Sequence, residues 1–360
     1  MRLGRWAVGA VAAAIGAWSA MASWAAEPFA GQTVYFSSST DPGGGFDLYV
    51  RLMARHIGAH FPGKPTVVAQ NRPGGGGLVL ANYLYNVAPK DGTQVGMIPA
   101  YVLLEERFKN PQAKFDPDKF IWVGNMNREV DHCSVWHTTG IAKPEDFFDR
   151  EVILGASGVS GGSYMMPILM NEELGTKFRP LLGFESNAKR NLSMQQGEIM
   201  GQCGTYLSSI KASSMQDVAS GKLRIIWQMG LEKHPDFPAV PLAIEYAKTA
   251  EARQMLEMFF ASATVGRAFA APPGVPDERI KALRAAFDAT IADKDFIAEA
   301  EKAKIEVRPA TATAMEPALQ KLLGASPAVI DKAAAILQQA RSRGEKQEQE
   351  LKAKAGSQGK

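Results

Sequence analysis

The chain has 360 residues, with 40 lysines and arginines against 37 acidic residues and a formal net charge of +3. Basic residues neither dominate nor alternate with aromatic residues along one face, which excludes the usual composition of a nucleic-acid-binding protein, so no nucleic-acid partner is expected. The length exceeds what a single hydrophobic core usually supports and is typical of two lobes.

The first 25 residues have the pattern of a secretory signal peptide. Arg2 and Arg5 flank an apolar stretch at residues 6–22, and the small residues Ser23 and Ala25 follow it. This order is typical of a leader that is cleaved on export. An uncleaved membrane anchor is the alternative, but the apolar stretch is shorter than the roughly 20 residues that a membrane span needs. We therefore expect a periplasmic protein whose mature chain begins near residue 26.

Short apolar strands alternate with turns and helices through the rest of the chain. Strands are predicted at residues 32–36, 66–69, 94–98, 131–137, 152–155, 180–184, 198–203 and 223–228. Helices are predicted at residues 47–60, 78–87, 277–293 and 294–304, with one more after residue 163 and two between residues 313 and 340. This alternation predicts an α/β protein with parallel sheets.

The strands and helices fall into two clusters, which predicts two lobes. We expect residues 26–127 together with 230–340 to form the first lobe, and residues 128–229 to form the second. Residues 341–360 are charged and almost free of apolar residues, so we expect a frayed helix or a disordered tail there.

The first turn with the chemistry of a binding site lies between a predicted strand and helix, at residues 41–47. Gly43, Gly44 and Gly45 allow backbone N–H groups to approach a ligand closely, and the start of the helix adds unpaired donors. Asp47 is predicted to be the N-cap residue of that helix. Such a turn binds an anion without the help of an arginine.

A second turn of this kind lies at residues 157–163. It carries the hydroxyls of Ser157, Ser160 and Ser163 beside the amides of the next helix start. Each turn alone is compatible with an ordinary connection. The two together, one in each predicted lobe, indicate a site where a small organic anion is held mainly by backbone amides.

Neither turn fits a nucleotide-binding or catalytic motif. The glycines at 43–45 lack the spacing of GxGxxG and no P-loop lysine follows, so no cofactor is expected. Residues 155–158 do not fit the GxSxG motif of a hydrolase, and His234 is predicted to lie in a surface turn. Because the turns offer dipoles and hydroxyls rather than an acid and a base, binding without catalysis is favoured over a hydrolase.

Six short motifs, in this order, resemble those of one known family. They are Pro42-Gly43-Gly44 with Asp47 and Arg51, Asn71-Arg72-Pro73-Gly74, Ala88-Pro89-x-Asp91-Gly92, Gly155-Ala156-Ser157-Gly158, Gly197-Glu198 and Ala271-Pro272-Pro273-Gly274-Val275-Pro276. The series is similar to the substrate-binding proteins of tripartite tricarboxylate transporters, the Bug or TctC family, over essentially the whole mature chain.

The resemblance implies a two-lobed, type II periplasmic binding protein fold with a ligand cleft between the lobes. It implies a monomer that clasps a carboxylate and delivers it to the membrane subunits of a tripartite tricarboxylate-type transporter. A ligand-sensing receptor for a two-component system is the alternative, because both kinds of protein signal through closure of the lobes.

The resemblance also assigns ligand-binding positions. The residues that match the family's two ligand loops and a third segment are Gly43, Gly44, Gly45, Phe46, Ser157, Gly158, Ser160, Gly161, Ser163, Gly204 and Thr205, with Asp47 and Arg51 in the helix-starting pattern.

The chain departs from the commoner family pattern at aromatic positions. Phe46 and Tyr164 stand where many members have small or polar residues, and residues 185–188 replace a Lys-Gly-Ser run. Together with Phe184, these rings predict an aromatic wall, and a carboxylate with an apolar or aromatic body rather than citrate. The alternative is that the three rings pack between helices.

The chain contains two cysteines, Cys133 and Cys203. In the fold that the resemblance implies, their strands are neighbours about 4.8 Å apart, a spacing compatible with a disulfide in the oxidising periplasm. Two free buried thiols are the alternative. The nearby His132 and His137 complete no set of zinc ligands, so no metal is expected.

Overall fold

The structure, a computed structural model, describes residues 27–358, so the predicted signal peptide lies outside the described residues. The strands are β1 (Thr33–Ser38), β2 (Thr66–Asn71), β3 (Gln94–Met97), β4 (Ile121–Asn125), β5 (Asp131–Trp136), β6 (Val152–Gly155), β7 (Phe178–Leu181), β8 (Gly201–Tyr206), β9 (Leu223–Met229), β10 (Ala268–Ala271) and β11 (Ala310–Thr311). The helices are α1 (Gly45–His56), α2 (Leu78–Asn86), α3 (Leu104–Arg107), α4 (Asp146–Asp149), α5 (Gly162–Leu174), α6 (Asn187–Gln196), α7 (Leu207–Ser213), α8 (Met215–Ala219), α9 (Ala250–Thr264), α10 (Asp277–Ile291), α11 (Lys294–Lys302), α12 (Ala312–Leu323) and α13 (Pro327–Gln358). Among these helices, none is both long enough and apolar enough to cross a membrane.

The strands form two mixed sheets rather than the purely parallel sheets that the sequence predicted. The strand order is β11-β4-β10-β3-β1-β2 in the first sheet and β7-β6-β8-β5-β9 in the second. β1 pairs in parallel with β2 and β3, and β6 with β7 and β8. β4, β5, β9 and β10 make antiparallel pairs. These four strands flank the points where the chain changes sheet, so no crossover helix within one sheet requires them to be parallel.

The predicted two-lobed α/β fold is confirmed. Strands from residues 33–125 and 268–311 form the first sheet, and strands from residues 131–229 form the second. We refer to each sheet with its helices as the first and the second lobe. The chain passes from the first lobe to the second at residues 126–130 and returns after Met229.

The elements of the first lobe that the sequence analysis missed include β4, β10 and α9. All four residues of β10 are buried, so its sequence shows no alternation of polar and apolar residues. The last eight residues of α9 before Thr264 are nearly all buried, which weakens the helical period that marks an amphipathic helix. The periodicity of apolar residues identifies strands and helices that have one exposed face. These elements are not half exposed, so their sequences lack that periodicity.

Several other helices begin at N-cap residues of types that can be recognised in the sequence. Ser186, Thr249, Asp293 and Thr311 precede α6, α9, α11 and α12, and each accepts a hydrogen bond from a backbone N–H of the first turn. Such caps satisfy donors that have no partner within the helix and contribute about 1 kcal/mol each.

The C-terminal helix α13 contacts both lobes, although the sequence predicted packing on the first lobe and a separate tail from residue 341. The helix continues without a break to Gln358. The hydroxyl of Tyr164, in α5 of the second lobe, donates to the carbonyl oxygen of Ala340 at 2.7 Å. Arg341 pairs with the fully buried Glu105 of the first lobe at 2.5 Å. The charged segment is therefore held at its start by specific contacts.

Cys133 and Cys203 lie opposite each other on the neighbouring strands β5 and β8, with their Cα atoms 4.0 Å apart. The structure joins them in a disulfide, and the described residues contain no free cysteine.

We expect mass spectrometry of the unfolded, unreduced protein to find one cross-linked peptide and no alkylated thiol. The bond closes a sequence separation of 70 residues, and by chain entropy it should stabilise the fold by about 4 kcal/mol. Reduction should therefore lower the free energy of unfolding by a similar amount. Alkylation of both cysteines without reductant would show that they are free thiols.

Candidate functional site

A cavity of about 80 Å³ lies between the two lobes. One water molecule needs roughly 10–15 Å³ of such volume, so the cavity has room for a small organic molecule. Its wall in the first lobe consists of Ser39, Thr40, Asp41, Gly44, Gly45, Phe46, Pro73, Gly74, Gly76, Pro99, Tyr101 and Arg267. Its wall in the second lobe consists of Asp131, Ser157, Ser163, Glu185, Ser186, Asn187, Arg190, Gly204, Thr205, Tyr206 and Ser209. Most of these residues follow the carboxyl ends of parallel strands, where open α/β sheets usually bind ligands.

Three helices of ten or more residues begin at the wall of this cavity. They are α1, α5 and α6, whose N-cap residues are Gly44, Gly161 and Ser186. The first N–H groups of a helix lack partners within it and carry a partial positive charge. Because three such helix starts converge here, the backbone alone makes the cavity favourable for an anion.

Asp47 stabilises the first turn through hydrogen bonds of its carboxylate. Its predicted role as the N-cap residue of α1 is wrong. The N-cap position belongs to Gly44, so Asp47 lies in the first turn of α1. Its carboxylate accepts hydrogen bonds from the Gly43 N–H at 2.8 Å, from Arg51 at 2.8 Å and from Asn71 at 2.7 Å. Burial raises the pKa of Asp47, but these hydrogen bonds outweigh it and lower the pKa below its usual range. Asp47 orders the turn without facing the cavity.

The second turn is ordered by its own hydroxyls. Ser163 Oγ accepts a hydrogen bond from the Ser157 N–H at 3.0 Å and lies 3.2 Å from Ser157 Oγ. Both side chains line the cavity. Since the two hydroxyls bond each other, at least one retains capacity to bond a ligand.

The second turn also touches the first lobe directly, at Gly76. A Cβ atom added to Gly76 would lie 2.6 Å from Gly161 Cα and 2.7 Å from the carbonyl carbon of Ser160. Such distances leave no room for a side chain, so the two lobes meet backbone against backbone. The backbone of Gly76 also has a φ of +70°, a conformation that glycine adopts without strain.

The structure divides the predicted ligand-binding residues into two groups. Those that line the cavity are Gly44, Gly45, Phe46, Ser157, Ser163, Gly204 and Thr205. Those that lie outside its wall are Gly43, Asp47, Arg51, Gly158, Ser160, Gly161, Tyr164 and Phe184.

The predicted aromatic wall is therefore wrong for two of its three rings. Tyr164 packs beneath α13 with Ile168 and Leu182, because α13 covers this side of α5. Phe184 packs against a small apolar cluster of the second lobe that includes Met194 and Ile199. Phe46 does line the cavity, and it supplies an apolar surface there.

Arg267, which forms a buried ion pair with Glu129, lines the cavity and was missed by the sequence analysis. The Nε atom of Arg267 lies 2.7 Å from the Glu129 carboxylate, and both side chains are 1% exposed. Burial lowers the pKa of Arg267, but Glu129 outweighs it, so the pKa is raised and the guanidinium stays charged. The two opposite charges cancel, so this pair contributes little net charge to the cavity.

The same guanidinium connects the two lobes. Its Nη2 atom donates to the hydroxyls of Ser208 and Ser209 in the second lobe, both at 3.0 Å. It also lies over three aromatic rings at 4.5, 4.6 and 4.7 Å, those of Phe46, Tyr49 and Tyr206. Cation–π contacts of this kind favour a charged guanidinium in a site that water does not reach. They hold the Phe46 ring in place at the cavity wall.

Arg190 is the second buried cation of the wall, and it was also missed. Its guanidinium donates to the carbonyl oxygen of Phe184 at 2.6 Å, to Gln202 at 2.9 Å, and to the side chain of Asn187. The carboxylate that acts on Arg190 through its charge is that of Glu185, which is exposed. Burial lowers the pKa of Arg190 to about 10, and the charge of the exposed Glu185 acts against this shift. Arg190 therefore remains charged near neutral pH without a buried counter-ion.

The side chain of Thr205 forms a hydrogen bond with His132. His132 Nε2 lies 3.0 Å from Thr205 Oγ1, and His132 Nδ1 is buried without a partner among the described residues. Burial and the nearby Arg190 lower the pKa of His132 to about 3, so the ring is neutral. A proton on Nε2 leaves no buried N–H without an acceptor, and it frees the Thr205 hydroxyl to donate into the cavity.

Sequence signals for the missed residues are weak. Arg190 lies in a polar stretch that reads as the exposed face of a helix, and Arg267 directly precedes a short buried strand. Neither position reveals that the side chain is buried, because the residues that bury it are distant in the sequence. The only indication in the sequence is that Arg267 stands alone directly before the four apolar residues of β10.

Neither a protein-family model nor a curated protein matches the chain. Solved structures do match it. A TctC solute-binding protein from Polaromonas, solved without ligand, has 17% identity and a TM-score of 0.56, and the match covers 86% of this chain and 98% of that one. Rpa4515 of R. palustris, solved with adipate, has 17% identity and a TM-score of 0.64, with 84% and 97% coverage. MatC of Rhodopseudomonas palustris, solved with malate, has 18% identity and a TM-score of 0.60, with 88% and 98% coverage. At these identities the likeness establishes a shared fold.

Proposed function

We propose that this chain is a periplasmic solute-binding protein of the Bug or TctC kind. In this proposal it captures a small organic carboxylate between its lobes and delivers it to the membrane subunits of a tripartite tricarboxylate-type transporter. The observation that carries the proposal is Arg190, a buried cation without a buried counter-ion, placed where three helices begin. A buried charge is costly unless it is paired, and a carboxylate in the cavity supplies the missing partner.

The similar structures support the chemistry of this proposal. Two of them were solved with adipate and with malate, which are both carboxylates. The series of short motifs in the sequence supports the same family. We therefore extend carboxylate binding to this chain as a proposal that rests on the shared fold, on the buried Arg190 and on the helix N-termini at its own cavity.

The side chains of the cavity support binding without turnover. The hydroxyls of Ser157 and Ser163 contact each other rather than a histidine. His132 is neutral and bonds Thr205, so it is unsuited to accept a proton near neutral pH. His234, predicted to lie in a surface turn, is instead buried and pairs with Glu306 at 3.0 Å, outside the cavity wall. A hydrolase needs a nucleophile and a base in contact, and the described residues do not provide that pair here.

We expect a panel of carboxylates to stabilise the purified protein against thermal unfolding. A ligand present at 100 times its dissociation constant should raise the free energy of unfolding by about 2.7 kcal/mol. The panel contains monocarboxylates, dicarboxylates, citrate and aromatic acids, with amines of matched carbon skeleton and sodium chloride at equal ionic strength as controls. Stabilisation by the amines instead, or by none of the acids, would overturn the proposal.

A further inference from the structure

Helix α13 lies along the boundary between the two lobes and is attached to both of them. The ammonium group of Lys332, in its second turn, lies 3.0 Å from the carboxylate of Glu251 in α9 of the first lobe. The same group lies 3.0 Å from the carboxylate of Glu173 in α5 of the second lobe. The residues of α13 that are buried in one apolar cluster with residues of α5 and α9 are Val329, Ala333 and Leu337.

Further along α13, two adjacent residues bind different lobes. The carbonyl oxygen of Ala340 accepts the hydroxyl of Tyr164 from the second lobe at 2.7 Å. The guanidinium of Arg341 pairs with Glu105 of the first lobe, whose fully buried carboxylate also accepts a hydrogen bond from Asn110 at 2.6 Å. Hydrogen bonds to charged groups contribute more to stability than those between neutral groups, so we expect Arg341 to be the stronger attachment.

The next turn of α13 packs against the second turn of the binding site. A Cβ atom added to Gly344 would lie 2.7 Å from the hydroxyl oxygen of Tyr164 and 2.7 Å from Cγ1 of Val159, which belongs to that turn. The same turn meets Gly76 of the first lobe through Gly161. We call the arrangement with this contact the closed form. α13 therefore crosses the boundary beside a point where the lobes meet at the cavity.

A ligand can enter or leave a cavity between two lobes only when the lobes separate. The chain itself crosses between the lobes at residues 126–130 and after Met229, and these covalent crossings persist during separation. The contacts of α13 do not persist. Residues 340 and 341 are neighbours on one helix, so they cannot follow two lobes that move in opposite directions. Because α13 has to leave one lobe, its contacts stabilise the closed form relative to any open form.

We infer that α13 is a strap that holds the two lobes closed, and that its release from one lobe limits the rate of ligand exchange. Arg341 is the attachment to the first lobe, and Tyr164 receives the attachment on the second. The inference goes beyond the proposed function, since it concerns the movement of the lobes and applies to any ligand that the cavity takes.

The first test measures the separation of the lobes in the protein without added ligand. Nitroxide labels are placed at Val79→Cys on α2 and Leu192→Cys on α6, two exposed positions in different lobes, and their distances are measured by double electron–electron resonance. We expect the shorter distance to dominate in the otherwise unchanged protein. Arg341→Gln should raise the ratio of long to short distances about tenfold, because it removes a charged hydrogen bond of the closed form.

Arg343→Gln is the matched control, because it removes the same charge from an exposed position two residues further along α13. Its distance distribution should equal that of the parent protein, and thermal unfolding of each variant reports on folding. A parent protein that is fully open without ligand would overturn the strap. An unchanged distribution in a folded Arg341→Gln variant, or equal shifts in the two variants, would overturn it as well.

A milder variant cuts the strap at the other lobe. Tyr164→Phe removes the hydrogen bond to Ala340 and should raise the ratio of long to short distances about threefold. Tyr83→Phe is its control, since the Tyr83 hydroxyl bonds Gln94 within the first lobe at 3.3 Å. A double variant of Arg341→Gln and Tyr164→Phe should open hardly more than Arg341→Gln alone, because α13 needs to leave only one lobe. Effects that multiply would indicate two independent contacts and no strap.

The second test measures the exchange of adipate by stopped-flow kinetics. In Arg341→Gln we expect adipate to be captured and released about tenfold faster, while the dissociation constant stays within about threefold, because the strap stabilises the closed form with and without ligand. A change in affinity at unchanged release rate would contradict the strap. If neither adipate nor any other acid binds, the proposed function fails, and the distances between the lobes still decide whether α13 holds them closed.

Discussion

Replacement of Arg190 by glutamine is expected to weaken carboxylate binding by about 100-fold, which corresponds to about 2.7 kcal/mol. In the free protein Arg190 is buried and donates to neutral acceptors, namely the carbonyl oxygen of Phe184 and the side chains of Gln202 and Asn187. A bound carboxylate would be its first buried counter-ion. Glutamine keeps a donor for the neutral acceptors but removes the charge, so the carboxylate would depend on the helix N-termini alone.

Two further variants identify the cause of this loss. Arg179→Gln removes the same charge from β7 of the same lobe, where the exposed Arg179 pairs with Glu151 at 3.4 Å, and it should leave the dissociation constant unchanged. Arg190→Lys retains a cation and should recover part of the lost affinity. The measurement is calorimetry with the tightest-binding acid of the panel, accompanied by thermal unfolding of each free variant. Normal binding by a folded Arg190→Gln variant would show that Arg190 is not the anchor.

Replacement of Gly76 by alanine is expected to weaken binding by about 100-fold through a different route, because it prevents the two lobes from meeting. An added Cβ would lie 2.6 Å from Gly161 Cα and 2.7 Å from the Ser160 carbonyl carbon, and backbone atoms on both sides cannot rotate away. If the closed form becomes a 1% minority, the apparent dissociation constant rises about 100-fold even though every ligand contact is intact. Small-angle scattering with saturating ligand should show the variant remaining more open than wild type.

Gly197→Ala is the matched control for Gly76→Ala. Gly197 has a φ of +78°, close to the +70° of Gly76, but an added Cβ at Gly197 meets nothing within 4 Å. Both variants therefore introduce a similar backbone strain of about 1–2 kcal/mol, and only Gly76→Ala introduces a clash between the lobes. Equal affinity losses in the two variants would indicate a general loss of stability rather than a block to closure.

The turns of the binding site could be predicted from the sequence because their signals are local. A run of glycines between a strand and a helix, at residues 43–45, and a Gly/Ser run at 157–163 both mark helix starts that face a ligand. The structure begins α1 and α5 at these turns and lines the cavity with Gly44, Gly45, Ser157 and Ser163. Backbone donors at a helix start depend on neighbouring residues, so the sequence contains the information that places them.

The directions of the aromatic side chains could not be predicted in the same way. Tyr164 and Phe46 stand at similar positions after their turns, yet Phe46 faces the cavity and Tyr164 faces away. The difference comes from α13, whose Ala340 carbonyl accepts the Tyr164 hydroxyl 176 residues later in the chain. The pattern of apolar residues at positions 157–170 does not indicate that α13 packs against them.

The sequence by itself determined the two-lobed α/β fold and the anion-favouring turns, because strand–helix alternation and glycine-rich helix starts are properties of short segments. Only the tertiary structure decided the charge of the cavity. Arg190, Arg267 and Asp131 are separated by tens of residues, and each is buried by elements that its own segment does not specify. A charged side chain reads as exposed in any local window, whereas its burial and its pKa depend on the packing of the whole chain around it.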